Sequence, residues 1–304
     1  MDAAGIDLQV LSHTVPGPGI LDATRAVPAA RAANDALAEA VAAYPHRFAG
    51  FAALPTPDPR AAARELERAV SELGMRGALL NGLTHGQFLD HPCYAPLLEC
   101  AAALGVPLYL HPSRPPEAVT RAYYDGLSPL MADHLATAAW GWHSETALHL
   151  LRIIVSGVFD RFPDLQVIVG HMGEMIPFAL ARINTVLTPV ADHLRQPVAD
   201  YFQTNIWLTT SGYTTFPPLQ CALSVVGGRP APLCRRLSLH TQRTGACPAR
   251  HRAHQPGRPR EDRSRQRRTP PRTRRRRPID QSNPRGFMNP AATSADHVCA
   301  APHR

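Results

Sequence analysis

Two histidines stand at the ends of apolar runs. His111 closes Leu108-Tyr109-Leu110-His111-Pro112, and the second run ends Val169-Gly170-His171-Met172-Gly173-Glu174. A neutral imidazole offers one bare ring nitrogen, a good ligand for zinc or another divalent transition metal. Parallel barrels place their chemistry at the C-terminal ends of strands, so two such histidines on neighbouring strands would face one ion. Taken singly, each is also an ordinary polar residue ending a strand. Glu174 opens the next helix in this reading; there a carboxylate suits the helix N-terminus or orients His171 from behind. His143 and His149 sit before and within a helical stretch and read as capping or core residues. Ser144 reads as that helix's N-cap. His46, His85, His91, His134 and His193 fall in loops or on exposed faces, and Cys93 and Cys100 read as packing residues. No GxSxG, P-loop or GxGxxG opens a helix.

The elements that must position these side chains alternate. Strand-like runs cover Asp7–Leu11, Phe48–Leu54, Gly77–Leu80, Val106–Leu110, Gln166–Val169 and Ile206–Thr209. Helical periodicity covers Arg31–Ala43, Pro59–Leu73, Tyr94–Leu104, Ser144–Val155, Glu174–Val190 and Pro217–Val225. In the second of these, Ala63, Leu66, Ala69, Val70 and Leu73 share one face, with Arg64, Glu65, Glu67 and Arg68 around the rest. Short apolar strands alternating with helices predict an α/β fold of βα units around a parallel sheet. Six units are two short of a closed (β/α)8 barrel.

Charge divides the 304-residue chain. Its net charge of +8 is carried wholly by arginine, because lysine is absent. Residues 1–228 hold 13 Arg and 20 acidic residues, a net of −7; residues 229–304 hold 19 Arg and 4 acidic residues, a net of +15. That second segment also has 11 Pro and one aromatic residue, Phe287. Such a composition cannot bury enough apolar area to offset the entropy of ordering it, so 229–304 is expected to be disordered beside a barrel domain over 1–228. No apolar run is long enough for a membrane span, and the first residues lack the pattern of a secretory signal. The six cysteines form no CxxC, which argues against a zinc ribbon or disulfide framework and for a reducing cytoplasm.

Several stretches together resemble one family. They are Gly77-Ala78-Leu79-Leu80-Asn81-Gly82 through Phe88-Leu89-Asp90, the YLHP of residues 109–112, residues 146–178 with their GVFDRFP and GHMGE blocks, and NIWLTTSGY at 205–213. They resemble the amidohydrolase-related metal-dependent decarboxylases, which include γ-resorcylate and aminocarboxymuconate-semialdehyde decarboxylases. The resemblance covers nearly all of 1–227. It implies a distorted (β/α)8 TIM-like barrel, one divalent metal (Zn or Mn) and non-oxidative loss of CO2 from a small aromatic or unsaturated acid. Carried over by motif, His111 and His171 match metal-facing positions, His171 and Glu174 catalytic ones, and Arg182 in PFALARIN a substrate-binding arginine. The partner implied is a small aromatic carboxylate, with a homo-oligomer for the intact enzyme. A hydrolase of the same superfamily, its metal activating water against a lactone or amide carbonyl, is the second reading.

The chain departs from that pattern at both ends. The family's first strand, with its H-x-H or E-x-H metal pair, has no counterpart before Met1-Asp2-Ala3-Ala4-Gly5-Ile6, and the D-x-P strand and closing helix are not found after Gly228. Read one base out of register, however, Gly227–Leu239 is codon-compatible with GADRHLFAVDYPY, and Arg260–Pro271 with EKIAHGNAERLL. Residues from about 228 are therefore expected to be a frameshifted translation of a GC-rich gene. The alternative is an Arg-rich arm for nucleic acid centred on Arg274–Arg277. Against it, no aromatic residues interleave with the arginines to stack bases. An incomplete barrel lacking its first and last strands is expected to bind metal weakly and turn over slowly.

Overall fold

A computed structural model describes residues 1–2, 6–226 and 237–238, all within one compact unit, Met1–Cys247. Seven strands form one parallel sheet in sequence order: β1 (Gln9–Ser12), β2 (Phe48–Ala53), β3 (Ala78–Asn81), β4 (Leu108–His111), β5 (Val167–Val169), β6 (Ile206–Thr209) and β7 (Leu237–Ser238). The first six match the expected runs to within one or two residues at most ends and curl into a half-barrel. β7 is a correction. Leu237 and Ser238 pair in parallel with Leu208 and Thr209 of β6, inside the segment expected to carry no strand. The remainder of 229–304, with its expected disorder, shifted register and Arg274–Arg277 arm, lies outside the described residues.

The helices between strands are α1 (Ala23–Ala43), α2 (Pro59–Ser71), α3 (Ala95–Leu104), α4 (Glu117–Tyr124), α5 (Pro129–His134), α6 (Gly141–Val155), α7 (Val158–Arg161), the single turn α8 (His171–Glu174), α9 (Ile176–Leu187), α10 (Val198–Thr204) and α11 (Phe216–Val226). α1 begins at Ala23, eight residues before the expected Arg31, because Asp22 caps it by accepting from the Arg25 N–H. Asp58 caps α2 in the same way through the Ala61 N–H, with Pro59 at the first helical position. Ser144 is no cap: α6 starts at Gly141, and the Ser144 hydroxyl donates back to the Gly141 carbonyl from inside the helix.

Alternate residues of the strands face the helices. Leu108, Leu110, Val167, Val169, Ile206 and Leu208 are all at most 2 % exposed and form the core with Leu66, Leu97, Ile153, Ile154 and Phe202. Glu65, expected on the polar side of α2, is buried there. Arg68 pairs with it, and the Asn34 amide donates both to Glu65 Oε1 at 2.8 Å and to the Ala53 carbonyl at 2.9 Å. Asn34 Oδ1 accepts in turn from the Ala53 N–H. One buried amide thus ties α1 and α2 to β2 with its polar groups satisfied. Among the described residues, no helix is long and apolar enough to cross a membrane.

Candidate functional site

Register carries His111 and His171 to the same end of the sheet. His111 is the last residue of β4, level with Asn81 of β3, while Leu110 pairs with Val169, two residues before His171. Tyr109 and His111 point the same way along β4 because side chains alternate in a strand, and Tyr109 meets one hydroxyl from the end of β6 and one from just beyond it. Thr209 Oγ1 and Ser211 Oγ lie 2.9 Å apart, 3.5 and 3.4 Å from the Tyr109 hydroxyl. Asn81 adds a buried Oδ1 with no hydrogen-bond partner among the described residues.

The backbone that presents His171 is wound left-handed. His171, Met172, Gly173, Glu174 and Met175 have φ of 49°, 56°, 81°, 54° and 66°. A non-glycine residue costs about 1–2 kcal/mol in this region, and strain of this kind persists where surrounding contacts over-determine it. Glu174 supplies those contacts. It therefore does not open a helix as expected; α9 starts at Ile176, and the carboxylate turns back into the fold. Its side chain is fully buried, with His171 Nδ1 2.7 Å from Oε1 and His143 Nδ1 2.6 Å from Oε2. Gly212 leaves room for His171: a Cβ there would lie 2.8 Å from the imidazole Cδ2, and φ at Gly212 is +77°.

The partners of each ring fix where its proton sits. His111 Nδ1 lies 2.9 Å from the Pro112 carbonyl, which only accepts, so Nδ1 carries the hydrogen and Nε2 is bare. Burial pushes the His111 imidazole below its ordinary pKa, with the Pro112 carbonyl offsetting part of that. His171 donates to Glu174 in the same way and also leaves Nε2 bare. Burial alone would lower His143; the hydrogen bond to Glu174, that carboxylate's charge and the Ala138 carbonyl outweigh it and raise its pKa.

Among the described residues, the ligand atoms of His143, His171 and Glu174 lie within 4.8 Å of one another. His111 is outside that cluster, although both His171 and Glu174 act electrostatically on it. Within the cluster, His143 Nδ1 and His171 Nδ1 are both taken up by Glu174, so the donors that suit zinc or manganese are the bare Nε2 atoms of His171 and His111. His143 is the residue that sequence reasoning passed over. A histidine in a helical stretch gives no local signal of a partner that stands 31 positions away.

Beside His171 opens a cleft of about 340 Å³, walled mainly by Met172, Met175, Phe178, Tyr213 and Cys221. Apolar walls with a few polar groups at one end are the usual form of a small-molecule site. Arg182 is not brought into the cluster and does not wall the cleft. It is exposed on α9, one helical turn beyond Phe178, with no hydrogen bond or ion pair among the described residues.

A family model described as Amidohydrolase matches residues 1–230. The γ-resorcylate decarboxylase of Polaromonas sp. (strain JS666) is 44% identical over 223 residues, covering 70% of this chain and 67% of that protein. Decarboxylase orsB of Emericella nidulans is 41% identical over 229 residues, covering 73% and 67%. The chain thus spans about two thirds of the length of these relatives. In structure it is similar to a dihydroxybenzoic acid decarboxylase from Polaromonas sp. JS666 with bound manganese and the inhibitor 2-nitroresorcinol. The TM-score is 0.71 at 41% identity, over 79% of this chain and 72% of that one.

Proposed function

Because the chain belongs to the amidohydrolase family, we propose that it is a metal-dependent, non-oxidative decarboxylase of a small aromatic, hydroxybenzoate-like acid. The observation that carries this is the pair of strand-end histidines, each held at Nδ1 so that Nε2 is bare, with a buried carboxylate behind one of them. The relatives named as decarboxylases of such acids support it over hydrolysis of a lactone or amide. His111 and His171 would hold the divalent metal, zinc or manganese, which when bound supplies Lewis-acid polarisation and a template for the substrate carboxylate.

The reaction replaces a carbon–carboxylate bond by a carbon–hydrogen bond. The electron pair left on the ring carbon as CO2 departs is captured by a proton. Where His171 stands beside the metal instead of on it, its Nε2 can take that proton up and deliver it, while Glu174 at Nδ1 stabilises the imidazolium formed in between. The apolar cleft accepts the ring, and Arg182 meets the carboxylate at its rim. Phe178 at 88% exposure, Tyr123 at 72% and Leu130 at 70% support a homo-oligomer that covers them. Free cysteines at 93, 100 and 221 suit a cytoplasmic setting.

The test is to incubate the full chain with manganese and a panel of hydroxybenzoates and measure CO2 together with the decarboxylated phenol. Release above a chelator-treated control is expected. Hydrolysis of lactones or amides with no CO2 from any hydroxybenzoate would overturn the proposal.

A further inference from the structure

We infer that His143 is a positioning residue: by holding the second oxygen of Glu174, it fixes His171 in the tautomer that carries its proton on Nδ1 and leaves Nε2 bare. Glu174 has two oxygens and each faces one imidazole, at 2.7 Å from His171 and 2.6 Å from His143. The Glu174 side chain is fully buried and that of His143 is 7% exposed, so water does not substitute for either contact. The other nitrogen of His143, Nε2, lies 3.0 Å from the Ala138 carbonyl. A carbonyl and a carboxylate both only accept, so His143 donates at both ends and spans the gap between the α6 entry and the His171 turn.

The local fold is built for that span. Residues 135–139 fold back against the start of α6, and Gly141 makes the approach possible: a Cβ there would sit 2.2 Å from the Ala136 carbonyl oxygen. The two rings meet edge to face at 4.7 Å between centroids, and Tyr213 borders both. His143 therefore packs against the ring whose orientation it sets through Glu174. Without it, Oε2 loses its donor, the carboxylate can rotate about its last bond, and one contact alone must choose which nitrogen of His171 faces it. Groups behind a metal-facing histidine typically change metal affinity by about 10–100-fold when removed.

The inference rests on the proposed role of His171, but its readout is taken on the metal-free chain and does not depend on turnover. Histidine side-chain nitrogen NMR on the full chain, with His171 assigned by loss of its signals in His171→Gln, reports the tautomer directly. Wild-type His171 is expected wholly in the Nδ1–H form, His143→Ala in a mixture with Nε2–H, and His143→Gln, whose amide can still donate to Oε2, back in the Nδ1–H form. Zinc affinity of the same proteins, measured by calorimetry, is expected to fall about tenfold or more in the alanine variant and recover in the glutamine variant. A His171 that stays wholly Nδ1–H in folded His143→Ala overturns the inference. If that variant does not fold, a wild-type His171 already in the Nε2–H form, or a folded His143→Gln that loses the Nδ1–H form, does so instead.

Discussion

The layer between strands and helices and the turn from His171 to Met175 touch at Val169, yet they obey opposite rules. Along β4, β5 and β6 every helix-facing side chain is a β-branched or leucine residue, buried to 2 % exposure or less. Propensity, alternation and burial agree there. In the turn, five consecutive residues hold positive φ, and four of them are not glycine. Local preference is violated residue after residue and is overruled by Glu174 and its two imidazoles. The layer stabilises the fold with contacts that any similar apolar set could make. The turn spends some of that stability on one arrangement of nitrogen and oxygen atoms.

The largest effect should come from the layer. Leu110→Ala removes a fully packed side chain between β4 and the helices and should cost about 2–5 kcal/mol in urea unfolding. The His111 and His171 nitrogens keep their partners, so any protein that remains folded should bind metal as before. A variant that is stable but metal-free would break the separation of the two regions.

Next in size is a pH effect that lies wholly within the packed region. His149 is buried on α6 and its Nε2 accepts from the Leu89 N–H at 2.9 Å. Burial, with Arg152 adding to it and Asp90 opposing, lowers its pKa from 6.5 to about 4. The unfolded chain therefore takes up this proton near pH 6.5 and the folded chain only near 4. Stability from this group is complete above 6.5 and is lost as pH falls toward 4, by roughly 1.4 kcal/mol per unit and about 3 kcal/mol in all. Unfolding free energies between pH 7 and 4 should show this slope, and His149→Gln should flatten it.

What was legible in the sequence follows the same division. Strands β2 to β6 could be read because apolar runs bounded by Gly, Pro and Asn fix both type and extent, and His111 and His171 stood out because they end such runs. The turn could not be read. His171, Met172, Glu174 and Met175 carry no local sign of left-handed backbone, and helical periodicity led straight through Glu174 to Val190. His143 escaped for a related reason, since its meaning comes from an oxygen on another element. The helices α4 and α5 fall in the long stretch between β4 and β5, where helical periodicity is expected only from Ser144 onward.

A pair of glycines sharpens the comparison at a smaller scale. Gly212 and Gly126 both have positive φ, +77° and +88°, but only a Cβ on Gly212 would strike His171; nothing lies within 4 Å of one on Gly126. Each alanine variant should lose about 1–2 kcal/mol from backbone strain alone. Only Gly212→Ala should also weaken zinc or manganese binding, because the imidazole must move. Equal losses of metal affinity in both variants would mean that general destabilisation, and not the turn, controls the site.

The smallest stability change belongs to Arg182, which lies outside both regions. Exposed and unpaired among the described residues, it contributes nothing that folding needs, so Arg182→Ala should stay within about 0.5 kcal/mol of the parent. Phe178, four residues earlier on the same helix face, walls the cleft, and the proposed role of Arg182 is to meet the substrate carboxylate from there. A guanidinium there should bind the substrate carboxylate in the ground state and the transition state alike. That predicts a KM raised about tenfold for an aromatic acid, equivalent to roughly 1.4 kcal/mol, with kcat nearly unchanged. Arg182→Lys should recover part of the loss, since it keeps the charge but not the planar fork. If KM does not move in either variant, the arginine has no place in substrate binding, and recognition of the carboxylate falls to the strand-end groups alone.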